Sequence, residues 1–238
     1  AYFSAPWKAA VGAEFYYFGL RDDPESTSGA RRRFSTVGGR FFRAPRPREF
    51  GFEVESAWQF GKLAELDHFA HMQHLQLSYA FDMPWQPILS GLYDYASGDK
   101  DPDDSDSGNF DTLFGDRRFE FGPTGIYNWM YRSNVSSPAL YLGLSPMKRL
   151  EVLPSIRWLW LAQARAAWAG QGLRDPSGRS GTYVGSSLEW RLRYNVASYF
   201  RPEICYVHFF KGPFPVHVPG SPTAEDSDYF YVELELRI

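Results

Sequence analysis

Apolar and polar residues alternate along much of this chain with a period of two. In residues 50–60 the apolar side chains fall on even positions, and Glu53 and Glu55 lie between them. The same period recurs in residues 182–196 and 229–238. Strict alternation over this length is typical of a β-strand whose two faces meet different surroundings.

The alternation predicts an all-β protein, with one domain over residues 1–238. About ten strands are predicted, at residues 7–20, 34–43, 50–60, 68–81, 87–96, 127–144 (with a bulge at 136–138), 150–163, 182–196, 199–210 and 229–238. These strands are longer than the usual strands of soluble sheets. Their length suits a tilted crossing of a lipid bilayer.

The predicted connections alternate in length along the chain. Short turns fall near residues 45, 84, 147 and 197, and long loops fall near residues 26, 110, 174 and 219, of which the longest spans about 97–126. The connection near residue 64 is short where the alternation calls for a long one. Short turns at one end and long loops at the other are typical of outer-membrane barrels. The prediction is an up-and-down, antiparallel, transmembrane β-barrel; the alternative is a soluble barrel or sandwich with its apolar face inward.

Composition supports the barrel and narrows the function. Aromatic residues make up 18% of the chain although its mean hydropathy is −0.40, a combination that suits aromatic girdles around a polar interior. A net charge of −3 argues against nucleic acid as a partner. The single cysteine, Cys205, excludes an internal disulfide framework. Residue 1 is an alanine, which suits either a mature N-terminus after signal cleavage or a trimmed chain.

If the apolar faces meet lipid, the charged faces line a lumen. The residues predicted to line the pore are Arg132, Arg157, Glu189, Arg191, Arg193, Glu233, Glu235 and Arg237. Further charges on that face are Glu14, Arg40, Glu53, Glu55, Asp94 and Glu203. Arginines suit carboxylate-bearing solutes, which they bind through paired hydrogen bonds. The alternative is that these charges pair across neighbouring strands and hold the barrel together.

Two groups of residues are candidate metal sites. Asp99, Asp101 and Asp103 have the spacing of the first calcium ligands of an EF-hand, but the glycine and the final glutamate of that motif are missing. A calcium ion bound by the loop and a solvated acidic loop both remain open. His68, His71 and His74 point to alternate faces of a strand, which argues against a shared metal. No other cofactor is predicted.

No sequence around a serine resembles a nucleophile elbow, so the chain is predicted not to be an enzyme, with a barrel enzyme as the weakest alternative.

Several ordered segments resemble the alginate-export family of outer-membrane porins. They are YASGDKDPDDSDSGNFDTLFGDRRFEFGPTGIY (95–127), RSNVSSP (132–138), RDPSGRSGTYVGSSLEWRLRY (174–194), ICYVHFFKG (204–212) and DYFYVELELRI (228–238). They cover roughly the C-terminal 60% of the chain, and residues 1–94 match by pattern only.

The resemblance implies a monomeric barrel in the bacterial outer membrane, in contact with lipid or detergent. Family barrels have about eighteen strands, so this chain would supply about half of one. The resemblance further implies passive passage of small or anionic solutes, uronate-type saccharides included, with Arg132, Arg157, Arg191 and Arg193 as the positive track. The alternative function is a plugged or truncated barrel that serves as a structural scaffold.

Overall fold

A computed structural model of the chain describes residues 2–5, 11–22, 31–113, 121, 131–221 and 224–237. They form one twelve-stranded sheet and one short helix. The strands are β1 (Tyr2–Ala5), β2 (Gly12–Asp22), β3 (Arg32–Arg43), β4 (Phe50–Leu63), β5 (Leu66–Ala80), β6 (Ile88–Ala96), β7 (Asp106–Ser107), β8 (Val135–Met147), β9 (Leu150–Trp160), β10 (Tyr183–Tyr194), β11 (Phe200–Lys211) and β12 (Ser227–Leu236). Helix α1 spans Pro213–His217.

The sheet is a meander in which strands follow one another in chain order. Every pairing along the path from β1 to β12 is antiparallel, and β7 adds to β5 in parallel from within a connection. The ten predicted strands correspond to β2–β6 and β8–β12, which confirms the all-β, up-and-down prediction. Strands β1 and β7 were not predicted, because they are too short to show a period of two.

The connections keep the predicted asymmetry, including its exception. Residues 44–49, 81–87, 148–149 and 195–199 form short turns at one end, while residues 97–134 and 161–182 form long connections at the other. The connection between β4 and β5, at the same end as the long loops, has only two residues, 64 and 65.

One strand begins later than the sequence predicted. β8 starts at Val135, and residues 131–134 belong to the preceding loop, while residues 127–130 lie outside the described part. Asn134 explains the late start: its φ of 50° is not that of a strand, and its side chain binds the backbone at Gln163. The predicted bulge at 136–138 is wrong, since the register between β8 and β9 shifts between Leu144 and Met147.

The apolar face of the sheet points outward. Trp58, Phe69, Leu140, Trp190 and Leu234, on five different strands, are all exposed. Between them lie buried or half-buried polar side chains, as the two-residue period of a strand requires. A soluble barrel would bury the apolar face, so this arrangement excludes the soluble alternative and matches a lipid-facing band. Among the described residues, no helix is long and apolar enough to cross a membrane.

Long connections fold onto the inner face of the sheet. One buried apolar cluster combines Ala57 of β4 and Phe209 of β11 with loop residues, among them Phe110, Trp168 and Phe214. Strands that are distant along the sheet therefore surround a shared interior. The connections fill part of that interior with apolar side chains, and charged side chains line the rest.

Candidate functional site: a charged lumen with two chambers

Two of the cavities that the described residues line contain predicted charges of the inner face. The first, called here the acidic chamber, has a volume of about 390 Å³. Its lining consists of Glu14, Tyr16, Phe18, Thr36, Arg40, Glu53, Glu55, Ala57, Met72, Phe110, Asp111, Thr112, Leu113 and Arg132. The second, called the arginine chamber, has a volume of about 360 Å³ and is lined by Arg191, Arg193, Arg201, Glu203, Glu233 and Glu235.

The two chambers differ in charge. Among the described lining residues, four carboxylates face two guanidinium groups in the acidic chamber. The described lining of the arginine chamber has three carboxylates and three guanidinium groups, so their charges balance. Both chambers are half-open cavities with charged side chains in their lining, on the inner side of a sheet whose outer face is apolar.

Four of the predicted pore residues meet in the arginine chamber. Arg191 and Arg193 of β10 share it with Glu233 and Glu235 of β12. The negative side chains on the last strand therefore face the same cavity as the strongest predicted positive pair.

Sequence reasoning missed Arg201 in this chamber. It lies two residues before Glu203 on β11, and residues two apart on a strand share a face, so the signal was present. Pro202 and Cys205 interrupt the alternation of polar and apolar residues in that strand. The inward direction of Arg201 is therefore hard to recognise from the sequence.

Each arginine of this chamber is ion-paired. Arg193 contacts Glu203 at 2.7 Å and Glu151 at 3.3 Å, and Arg191 contacts Glu189 at 3.0 Å. Arg201 pairs with Glu235, which also binds Arg237 at 2.7 Å. The predicted residues Glu189 and Arg237 thus act as partners at the border of the chamber.

Arg157 does not line the arginine chamber. Only 5% of its side chain is exposed, and it donates to Asp94 at 2.8 Å and to Ser137 at 2.9 Å. The ring of Phe121 covers its guanidinium at 4.9 Å. Its surroundings match the alternative in which a charge holds neighbouring strands together.

Asp94 is the centre of this buried network. His74 of β5 contacts it at 2.6 Å, and Arg132, which lines the acidic chamber, lies 3.8 Å from it. Arg132 and Arg157 thus share a carboxylate, while Arg191 and Arg193 pair with glutamates of the arginine chamber and its border. Their part in solute passage stays a prediction.

The acidic loop is bound by arginines of the neighbouring connection. Arg165 contacts Asp101 at 2.9 Å and Asp103 at 3.0 Å, and Arg174 contacts Asp103 at 3.3 Å. Burial raises the pKa of Asp99. Within the described ranges, no group of three or more His, Cys, Asp or Glu side chains is arranged to hold a metal ion. Two of the three proposed calcium ligands are thus engaged with guanidinium groups.

The three histidines alternate between the faces as predicted. His68 and His74 lie on the inner face, where His68 contacts Gln59 and Ser107. His71 lies on the outer face, stacked between Trp58 at 4.8 Å and Tyr95 at 5.4 Å.

Two comparisons with known proteins give matches. A family model described as Alginate export matches residues 5–226, which confirms the resemblance and extends it through the N-terminal part of the chain. A solved structure described as NanC porin in a rhombohedral crystal form aligns with 100% of this chain and 91% of its own, at 11% identity and a TM-score of 0.46. No curated protein matches the sequence. The chain belongs to the alginate-export family of porin-like outer-membrane β-barrels.

Proposed function

We propose that the protein is a monomeric channel of the bacterial outer membrane that lets small hydrophilic solutes pass without a catalytic step. One observation carries the proposal. The sheet turns an apolar face outward while charged side chains of its inner face line two cavities. An apolar exterior suits lipid, and a charged interior gives polar solutes a path that the bilayer denies them.

The arginine chamber supports a more specific proposal: that anionic solutes bind there as they pass through the channel. Arg191, Arg193 and Arg201 converge on one cavity, and guanidinium groups bind carboxylates through paired hydrogen bonds. Uronate-type saccharides carry such carboxylates. Each arginine already has a glutamate partner, so a passing carboxylate would exchange with a side chain rather than meet a free cation.

A specific observation favours the alternative of a plugged scaffold. Phe110, Trp168 and Phe214 come from three connections and pack with wall residues into one apolar cluster. If this cluster closes the lumen across its width, the barrel has a structural role and no conductance.

Single-channel recording of the refolded chain in a planar bilayer decides between the two. The channel proposal expects discrete, stable openings. Silence from protein shown separately to be folded and inserted would support the scaffold. Reversing the charges of Arg191 and Arg193 to glutamate should move the selectivity of the openings toward cations, and unchanged selectivity would remove this pair from the pathway.

A further inference from the structure

Two charged residues of the acidic chamber stand opposite each other without forming the expected ion pair. In the register of β3 and β4, Arg40 is directly across from Glu55. The guanidinium instead binds Glu53, with Nε and Nη2 each at 2.8 Å from a carboxylate oxygen, and reaches Glu14 of β2 at 3.3 Å. Glu55 accepts a hydrogen bond of 2.6 Å from the hydroxyl of Tyr16.

An aromatic ring turns Arg40 away from Glu55. The guanidinium carbon of Arg40 lies 4.4 Å from the centre of the Phe42 ring, a distance typical of a cation–π contact. Phe42 stands directly opposite Glu53, so stacking on this ring carries the guanidinium to that carboxylate. The ring itself lies over Gly12, where a Cβ atom would come within 2.5 Å of it.

A second ring over a glycine gives Glu55 a neutral partner. Tyr16 of β2 reaches Glu55 of β4 by crossing β3 at Gly38, and a Cβ atom at Gly38 would overlap the tyrosine ring. The hydroxyl donates a hydrogen bond but brings no positive charge. Within the described part of the chain, no arginine, lysine or histidine forms an ion pair with Glu55.

Carboxylates remain in excess when the ion-pair partners of the lining residues are counted among the described residues. Arg32 binds Asp22 and Asp111, Asp94 is shared by Arg157 and Arg132, and Arg40 is shared by Glu14 and Glu53. With Glu55 added, these described residues hold six carboxylates and four guanidinium groups, and the imidazole of His74 lies 2.6 Å from Asp94. A carboxylate that pairs with none of these cationic side chains attracts cations and repels anions.

We propose that Glu55 sets the ion preference of the lumen, so that the acidic chamber admits small cations, ammonium-bearing solutes included, in preference to anions. The proposal rests on the proposed channel function and adds the charge of the ion that the channel favours. Contacts between the protein and the carboxylates of a solute would then be made in the arginine chamber. Tyr16 and Phe42 act as positioning residues, because they keep Arg40 and Glu55 apart.

The test is the reversal potential of single channels in a gradient of potassium chloride. We expect the unmodified protein to prefer K⁺ over Cl⁻, and Glu55→Gln to shift the reversal potential toward zero. Glu49→Gln removes one negative charge from an exposed turn outside the lumen and is the matched control, expected to leave the reversal potential unchanged. Phe42→Leu keeps the net charge: if Arg40 turns toward Glu55 it leaves Glu53 instead, so this variant should keep the preference for K⁺.

The outcomes separate this inference from the proposed function. Openings that favour Cl⁻, or openings whose selectivity is the same in Glu55→Gln, overturn the inference and leave the channel function standing. Silence from folded and inserted protein overturns the channel function and the inference with it. The migration of unheated and heated samples in a gel reports folding of each variant before it is recorded.

Discussion

The side-chain amide of Gln59 holds the backbone of Asp111 by two hydrogen bonds. Its nitrogen donates to the carbonyl of Asp111 at 2.7 Å, and its oxygen accepts from the N–H of Asp111 at 2.9 Å. Arg32 binds the carboxylate of Asp111 at 3.1 Å. The residues before position 114 are thus fastened to the inner wall of β3 and β4, where they help to line the acidic chamber.

Replacing Gln59 with leucine should release this loop without unfolding the barrel. The change leaves the N–H and carbonyl of Asp111 without partners at a buried wall position, at a cost of about 1–3 kcal/mol. Hydrogen exchange followed by mass spectrometry should show loss of protection around Asp111. Gln76→Leu is the control, because among the described residues that amide bonds only to Ser78 on its own strand. Equal protection in both variants would show that Gln59 does not hold the loop.

Asp94→Asn should destabilise the barrel strongly. The carboxylate is almost fully buried and binds both His74 and Arg157, so its neutralisation leaves the guanidinium buried without its counter-charge. Removing one partner of a buried ion pair costs about 3–5 kcal/mol. The free energy of unfolding in urea, measured in lipid vesicles, reports the loss.

Asp82→Asn is the matched control for this change. Asp82 also pairs with an arginine, Arg48, at 2.7 Å, but both side chains are exposed. Exposed pairs contribute about 0–1 kcal/mol, so this variant should unfold almost like the unmodified protein. Equal losses in the two variants would mean that Asp94 is not the centre of a buried network.

The strands could be predicted from the sequence because the two faces of each strand meet different surroundings, which produces alternating apolar and polar residues. Alternation in β4, β10 and β12 is nearly unbroken, since one side of each strand faces lipid and the other the lumen. The period also assigned Glu55 and Arg191 correctly to the inner face. Where the alternation is weak, as around Pro202, the prediction missed the inward side chain of Arg201.

Pairing between charges could not be predicted from the period alone. Strand alternation places Arg40, Glu53 and Glu55 on one face, but the choice between the two glutamates depends on the ring of Phe42. Arg157 and Arg191 share a face in the same way, and the ring of Phe121, which belongs to a connection, lies over Arg157. The partners of Arg40 and Arg157 depend on contacts with individual rings, one of which lies in an inward-folded loop. Such contacts do not produce a periodic pattern in the sequence.

The loop after β9 should keep its structure well into the acid range. Asp175 accepts hydrogen bonds from the hydroxyl groups of Ser177 at 2.6 Å and Ser180 at 2.7 Å, and from both of their N–H groups. The bond from the Ser177 hydroxyl, followed by that from Ser180, holds the pKa of Asp175 well below its ordinary value of 3.8. A carboxyl whose pKa is lowered by folding contributes its full stabilisation above pH 3.8, and the contribution is lost as the pH falls further through the folded-state pKa.

The titration of the Asp175 carboxyl carbon by NMR checks this directly. We expect a midpoint below 3.8, and a return toward 3.8 when Ser177 and Ser180 are both replaced by alanine. A midpoint at or above 3.8 in the unmodified protein would contradict the hydrogen-bond pattern described here.

Gly38→Ala should disturb the acidic chamber through Tyr16. The new Cβ atom would overlap the tyrosine ring, so the ring must move and its hydrogen bond to Glu55 breaks. Overpacking of this kind costs about 1–3 kcal/mol. Gly91→Ala is the control on another strand, where the nearest atom to the new Cβ is Leu140 Cδ2 at 3.8 Å. Urea unfolding of the two variants should therefore differ, and equal stabilities would show that the ring does not depend on Gly38.

The outer face offers a test of the membrane orientation itself. Leu140 lies within β8, its side chain is 47% exposed, and it is flanked by Gly91 and Ile156 on the adjacent strands. A charged side chain at the lipid-facing midplane of a barrel costs about 2–4 kcal/mol, and the cost falls to about 0–1 kcal/mol near the interfaces. Leu140→Arg should therefore lower the free energy of unfolding from lipid vesicles.

Met83→Arg is the control that distinguishes a side chain facing lipid from a side chain that is exposed to water. Met83 is 55% exposed, slightly more than Leu140, but it lies in the short turn between β5 and β6, beyond the ends of both strands. If both residues faced water, the two substitutions would be equally harmless. Because only Leu140 lies within the apolar band, its substitution should reduce stability in vesicles while Met83→Arg does not. Equal stabilities of the two variants would contradict the assignment of this face to lipid.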